Sequence, residues 1–107
     1  MSSDEYIECK VKQIVEELIN GEKDDEIVTL IFMSKYDAVL FSQVSLALGK
    51  GKYFASSKKT LGVLDSLQER GLVRKITLTY RSKRITAYIL TECGLRVAKE
   101  LARMFGV

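Results

Sequence analysis

Two clusters of cationic and hydroxyl side chains hold most of the chemistry available to this chain. The first runs Lys50, Lys52, Tyr53, then Ser56-Ser57-Lys58-Lys59-Thr60, with Val63 a turn further on. The second is Arg81-Ser82-Lys83-Arg84. Four lysines fall between Lys50 and Lys59, six bases between Arg70 and Arg84, and neither stretch contains an acid. Such side chains offer positive charge and hydrogen bonds to phosphate oxygens, so they suit a polyanion better than proton transfer.

Proton chemistry has little to work with. The 107 residues include no histidine, so the commonest general base and metal ligand is missing. Cys9 and Cys93 stand far apart with no Cys-x-x-Cys pair, too few soft ligands for a zinc site. Both fall in predicted helices and read as buried free thiols. A Cys9–Cys93 disulfide would need the terminal helices to touch and an oxidising setting, and is the less favoured reading. Gly49-Lys50-Gly51-Lys52 lacks the spacing of a phosphate loop. Glu16, Glu17, Glu22, Asp24, Asp25 and Glu26 lack that of a Ca²⁺ loop. The expectation is a non-enzyme with no metal and no cofactor.

Charge is divided along the chain. Residues 1–40 carry four lysines against ten acids, a balance of −6, whereas residues 41–107 carry thirteen bases against four acids, a balance of +9. Two ordinary solvated faces would give the same totals. The clustering of the bases favours one polyanion-facing side, with the acidic helices turned away toward a partner protein or a second copy. No apolar run approaches a membrane span. The acidic start, Met1 to Glu5, lacks the basic and apolar parts of a signal peptide. A cytoplasmic protein with no membrane contact is expected, organised as one domain over residues 1–107.

Several elements must position the two clusters. Ser2 and Glu5 fit a capping box for a helix carrying Ile7, Val11, Ile14, Val15 and Leu18, with Gly21 as a left-handed cap. Asp24 or Asp25 caps a second helix through Ile27, Leu30 and Ile31. Ala38 to Phe41 allows a brief strand. Ser42 caps a short helix with Val44, Leu46, Ala47 and Leu48, and Gly49 ends it. Ser56 or Ser57 starts the next helix, whose buried stripe is Leu61, Leu64 and Leu67, and Gly71 stops it. Val73 to Tyr80 and Ile85 to Leu90 read as a hairpin turning at Arg81–Arg84, with Ile76, Leu78 and Tyr80 on one face. Thr91 caps a last helix with Leu95, Ala98, Leu101, Ala102 and Phe105 in its stripe.

Two short helices joined by a glycine turn have the layout of a helix-turn-helix, whose second helix enters the major groove N-terminus first. Ser56 to Thr60, followed by an apolar stripe, meets that demand, although a solvated helix start uses the same residue types. Gly62 allows close backbone approach, and Val63 suits a thymine methyl. A basic hairpin tip beside such a helix can reach phosphates or the minor groove.

Leu64-Asp-Ser-Leu67-Gln-Glu-Arg-Gly71-Leu-Val73, the hairpin to Arg84, and Tyr88-Ile-Leu-Thr91-Glu-Cys-Gly94 resemble winged helix-turn-helix DNA-binding proteins of the MarR, PadR and ArsR type. The resemblance implies an α+β, mostly helical fold: a helix-turn-helix with a two-stranded wing over 42–94, extra N-terminal helices over 1–40, and a C-terminal helix over 91–107. It implies that Ser57–Thr60 and Val63 face the groove, that Arg81–Arg84 form the wing tip, and that Gly71 and Thr91 are structural. It implies a homodimer on double-stranded DNA, most often a transcriptional repressor. Two alternatives stand beside that reading. One is a partition adaptor, like small archaeal plasmid proteins that spread along DNA and contact a second protein. The other is a winged helix used only for protein contacts.

Overall fold

A computed structural model of the protein describes residues 8–107. Its elements are α1 (Val11–Asn20), α2 (Asp24–Met33), β1 (Val39–Leu40), α3 (Phe41–Leu48), α4 (Ser57–Glu69), β2 (Val73–Tyr80), β3 (Lys83–Leu90) and α5 (Glu92–Phe105). The class is α+β and mostly helical. The sheet is antiparallel in the order β1-β3-β2, and Val39 pairs with Tyr88 to hold the short strand against the hairpin.

One apolar cluster joins all of these elements. Leu18, Leu30, Val44, Leu64, Leu67, Leu72, Val97 and Leu101 lose their whole surface in it. Each such leucine contributes on the order of 2 kcal/mol by leaving water. The helices bury narrow stripes at i, i+3 and i+4, such as Val15 and Leu18 on α1 and Val97, Ala98 and Leu101 on α5. The α5 stripe is rotated from the expected one, so Leu95 and Phe105 lie at the surface and Val97 is inside.

The chain between α4 and α5 is held by two devices. Gly71 sits at φ 76°, a conformation that side chains with a Cβ resist, and it turns the end of α4 into β2. The Thr91 hydroxyl donates to the Gly71 carbonyl at 2.7 Å and accepts from the Gly94 N–H at 3.0 Å, so one side chain caps α5 and ties it to the end of α4. A Cβ at Gly94 would meet the Leu72 carbonyl oxygen at 1.9 Å, so only glycine lets α5 come this close to the residue that leads into β2.

Several ends differ from the sequence expectation. The capping box at Ser2 and Glu5 lies outside the described residues, and α1 begins at Val11. Glu22, at φ 53°, takes the left-handed position expected of Gly21. Asp24 and Asp25 lie in the first turn of α2, where carboxylates complement the helix dipole, instead of at its cap. Ser42 lies inside α3; the free N–H at its start, on Leu40, is taken by the Gln43 side chain at 2.8 Å.

The largest difference concerns the cysteines. Cys9 precedes α1, and it is joined to Cys93 on the first turn of α5 in a disulfide with the Cα atoms 5.5 Å apart. The expectation of free thiols is overturned because α1 packs along α5, which brings the segment before α1 onto the start of that helix.

Candidate nucleic-acid interface

The interface is built on the pairing of α3 with α4. Ser56 caps α4 by accepting from the Lys59 N–H at 3.1 Å. Behind that cap, the Thr60 hydroxyl donates to the Ser56 carbonyl at 3.0 Å and meets the Ser45 hydroxyl of α3 at 2.8 Å. Thr60 has one proton and uses it on Ser56, so Ser45 donates across the helix pair. The Ala55 N–H donates to the Ser45 carbonyl at 2.9 Å and fixes the turn between the helices. These buried bonds set the angle at which α4 is presented.

They also remove Thr60 from the candidate site. Its side chain has no exposed surface, so it cannot touch a ligand. At 100° per residue, Thr60, Leu64 and Leu67 fall within about 60° of one another, whereas Leu61 lies roughly a further 60° round the helix. Leu61 is accordingly 47% exposed, not part of the buried stripe. Val63 is also corrected. It packs against the core and lines the groove between α4 and α2, away from the outermost line of the helix.

The flank of α4 that faces α2 is occupied by acids. Lys59 pairs with Asp25 at 3.5 Å. Further along, Glu26 is 6% exposed and accepts from Arg70 Nε at 3.0 Å and from the Ser66 hydroxyl at 2.9 Å. Arg70 also reaches Glu17 at 3.5 Å. The acidic front of the chain therefore does not point away from this helix, as its charge pattern suggested. Part of it runs along one side of α4 and neutralises the cations there.

The opposite side and the tip are free. Ser56, Ser57 and Lys58 are exposed at the start of α4, where unpaired N–H groups and the positive end of the helix dipole favour an anion. Lys50, Lys52 and Tyr53 are exposed in the turn before it. Lys50 holds a left-handed φ of 60° without being glycine.

The hairpin supplies the second cluster. The bend is tighter than Arg81–Arg84: only Arg81 and Ser82 lie outside the strands, and Tyr80 pairs with Lys83. Both turn residues have positive φ, 50° and 65°, as a two-residue turn between twisted strands requires. Neither is the glycine or asparagine that favours it. The Arg81 guanidinium lies 5.3 Å from the centre of the Tyr80 ring, a cation–π contact that orients it. Arg81, Ser82, Lys83 and Arg84 are all exposed.

Solved structures share this order and layout. The chain is similar to a ZitR mutant from Lactococcus lactis at TM-score 0.62 and 19% identity, covering 78% of this chain and 52% of that one. It is similar to MepR from Staphylococcus aureus in a MepR–DNA complex at TM-score 0.67 and 15% identity, covering 89% and 75%. It is similar to a PadR-like transcriptional regulator from Bacillus cereus at TM-score 0.63 and 20% identity, covering 88% and 86%. The fold is a winged helix-turn-helix. The chain spans about half the length of the ZitR protein it matches, 52%. No protein-family model matches the sequence, and neither does the sequence of any curated protein.

In this winged helix, α4 is the second helix of the helix-turn-helix and the β2–β3 hairpin is the wing. Gly62, singled out in the sequence for close approach, is exposed on α4; sequence reasoning missed Leu61 and Asp65, exposed on the same helix, and Arg74 and Lys75, exposed on β2. The helical angles of residues 60–67 would have found Leu61 and Asp65. Tyr88 is buried at the base of the wing; burial raises its pKa above the ordinary 10.0, and the nearby Asp65 carboxylate adds to that. Among the described residues no group of His, Cys, Asp or Glu side chains is arranged to hold a metal ion, and no helix is long and apolar enough to cross a membrane.

Proposed function

We propose that the chain is a sequence-specific double-stranded-DNA-binding regulator that acts as a homodimer and represses by occupying its site. The observation that carries the reading is the free, cationic start of α4, with Ser57 and Lys58 exposed, on the same winged helix as a wing tipped by Arg81, Lys83 and Arg84. A recognition helix lies in the major groove, and basic tips reach neighbouring phosphates. The similar fold of MepR in its DNA complex supports the same mode. Lys52 and Tyr53, in the turn before α4, would meet the backbone on the other side of the groove, with Lys50 at the edge of the apolar groove described next.

Dimerisation is supported by an apolar groove of about 830 Å³ between α2, α3 and the end of α5, lined by Ile27, Val28, Ile31, Phe32, Leu46 and Phe105. Of these, Val28 and Phe105 are large, apolar and exposed. A second copy covering this face would present two recognition helices to half-sites about one helical turn apart.

The test is a titration of duplex DNA at 50 and 200 mM salt, with the mass of the protein measured alongside by light scattering. A dimer contacting six or more phosphates should lose on the order of 10³-fold in affinity between the two salts. Weak binding with no salt dependence would reject the DNA reading and leave protein contacts as the use of the fold. The titration is run on oxidised and on reduced protein, because most cytoplasms keep thiols reduced.

A further inference from the structure

We propose that Leu61 is a specificity residue that reads the C5-methyl group of a thymine in the major groove. The inference rests on the DNA-binding reading above and goes beyond it by naming the base and the atom. Leu61 is a large apolar side chain, 47% exposed, on the first two turns of the recognition helix. It is flanked by exposed Lys58 and Gly62. Nothing lies within 4 Å of where a Cβ at Gly62 would be, so the helix surface beside Leu61 is open to close approach. In the major groove the thymine methyl is the one apolar group offered by a base edge.

The surrounding charge places the reading window at Leu61. Lys58 precedes it, whereas Asp65 and Glu69, both exposed, follow on the same outward side of α4. Carboxylates there repel phosphates, so the helix enters the groove by its first two turns and lifts away beyond them. Val63, the other apolar candidate, is turned toward α2 and packs on the core. Leu61 is the apolar group left inside the window.

The test starts by selecting bound sites from random duplex DNA with the unaltered chain and with Leu61→Ala. Each enriched thymine is then replaced in turn by deoxyuridine, which removes only the methyl group. The unaltered chain should lose about fourfold in affinity per half-site at one of these positions, the equivalent of one buried methyl group. Leu61→Ala should bind the thymine and deoxyuridine duplexes equally, with the salt slope of the unaltered chain. Full discrimination retained by Leu61→Ala, or no discrimination by the unaltered chain, would overturn the assignment while leaving DNA binding intact. Failure to enrich any sequence, with salt-insensitive binding, would overturn the DNA reading and Leu61's role together.

Discussion

The two flanks of α4 differ in what has been done with their charges. On the side facing α2, Lys59 meets Asp25, and Arg70 and Ser66 converge on the buried Glu26. On the outward side, Leu61 and Asp65 are exposed, and Asp65 accepts a 3.5 Å contact from Gln68. The first flank attaches the helix to the body of the protein. The second leaves side chains available to a partner. A recognition helix needs both, because a reading surface that moves relative to its scaffold discriminates poorly.

The contrast can be broken by substitution. Glu26→Ala should have the largest effect, about 3 kcal/mol of lost stability in urea denaturation, because it strands the partly buried Arg70 and the Ser66 hydroxyl. Leu61→Ala should change stability by less than about 0.5 kcal/mol. Equal losses would remove the distinction between the flanks. Thr60→Val, of similar shape, should cost about 2 kcal/mol in the same measurement by leaving the Ser45 hydroxyl buried without its acceptor. Thr60→Ser should restore most of it.

Smaller effects sharpen the comparison on the DNA side. Lys58→Ala should lower the slope of log affinity against log salt by about one, whereas Lys59→Ala should lower it less, because Asp25 already neutralises that cation. Asp25→Asn should bring the two lysines to parity. In the wing, replacing Arg81-Ser82 by Asn-Gly should stabilise the fold by about 1 kcal/mol, since those residues accept positive φ more readily. The same change should weaken DNA binding through the lost Arg81 charge.

The smallest effect concerns Tyr88. Its folded-state pKa is raised above 10.0 by burial and then by Asp65, so the unfolded chain ionises first on going alkaline. Stability is therefore complete below pH 10 and falls as pH rises above it. Asp65→Asn should make that fall slightly less steep in alkaline denaturation. A steeper fall in the variant would contradict the contribution of Asp65.

How much of this was legible depends on the range of the interaction. Thr91 was readable as a cap, and the α4 cap was narrowed to Ser56 or Ser57, because a hydroxyl before a helix satisfies N–H groups two or three residues on. The span Val73–Tyr80 was readable as a strand from its own alternation, and the order of elements from glycines and hydroxyls at their ends. Leu61 was misread because hydropathy was weighted above helical angle, which puts Thr60 inside. Ser42 was misread because α3 starts one residue earlier, at Phe41, where the Gln43 side chain accepts from the Leu40 N–H. The Lys59–Asp25 pair, the Glu26 cluster and the Cys9–Cys93 bond join residues far apart in the chain, and no local pattern announces them. The first of them is also what separates the paired Lys59 from Lys58 at the start of α4.

The Cys9–Cys93 bond closes residues 9–93 into a covalent ring. Of the described residues only Glu8 and 94–107 lie outside it, since the bond spans 84 positions. Both HTH helices, the wing and every acid that lies along α4 are inside the loop. A single protease cut in any turn of the ring leaves its fragments covalently attached, and on a gel they part only when reductant is added. Helix α4 and the acids beside it thus belong to one circular covalent unit, whereas the part of α5 beyond Cys93 can be cut free.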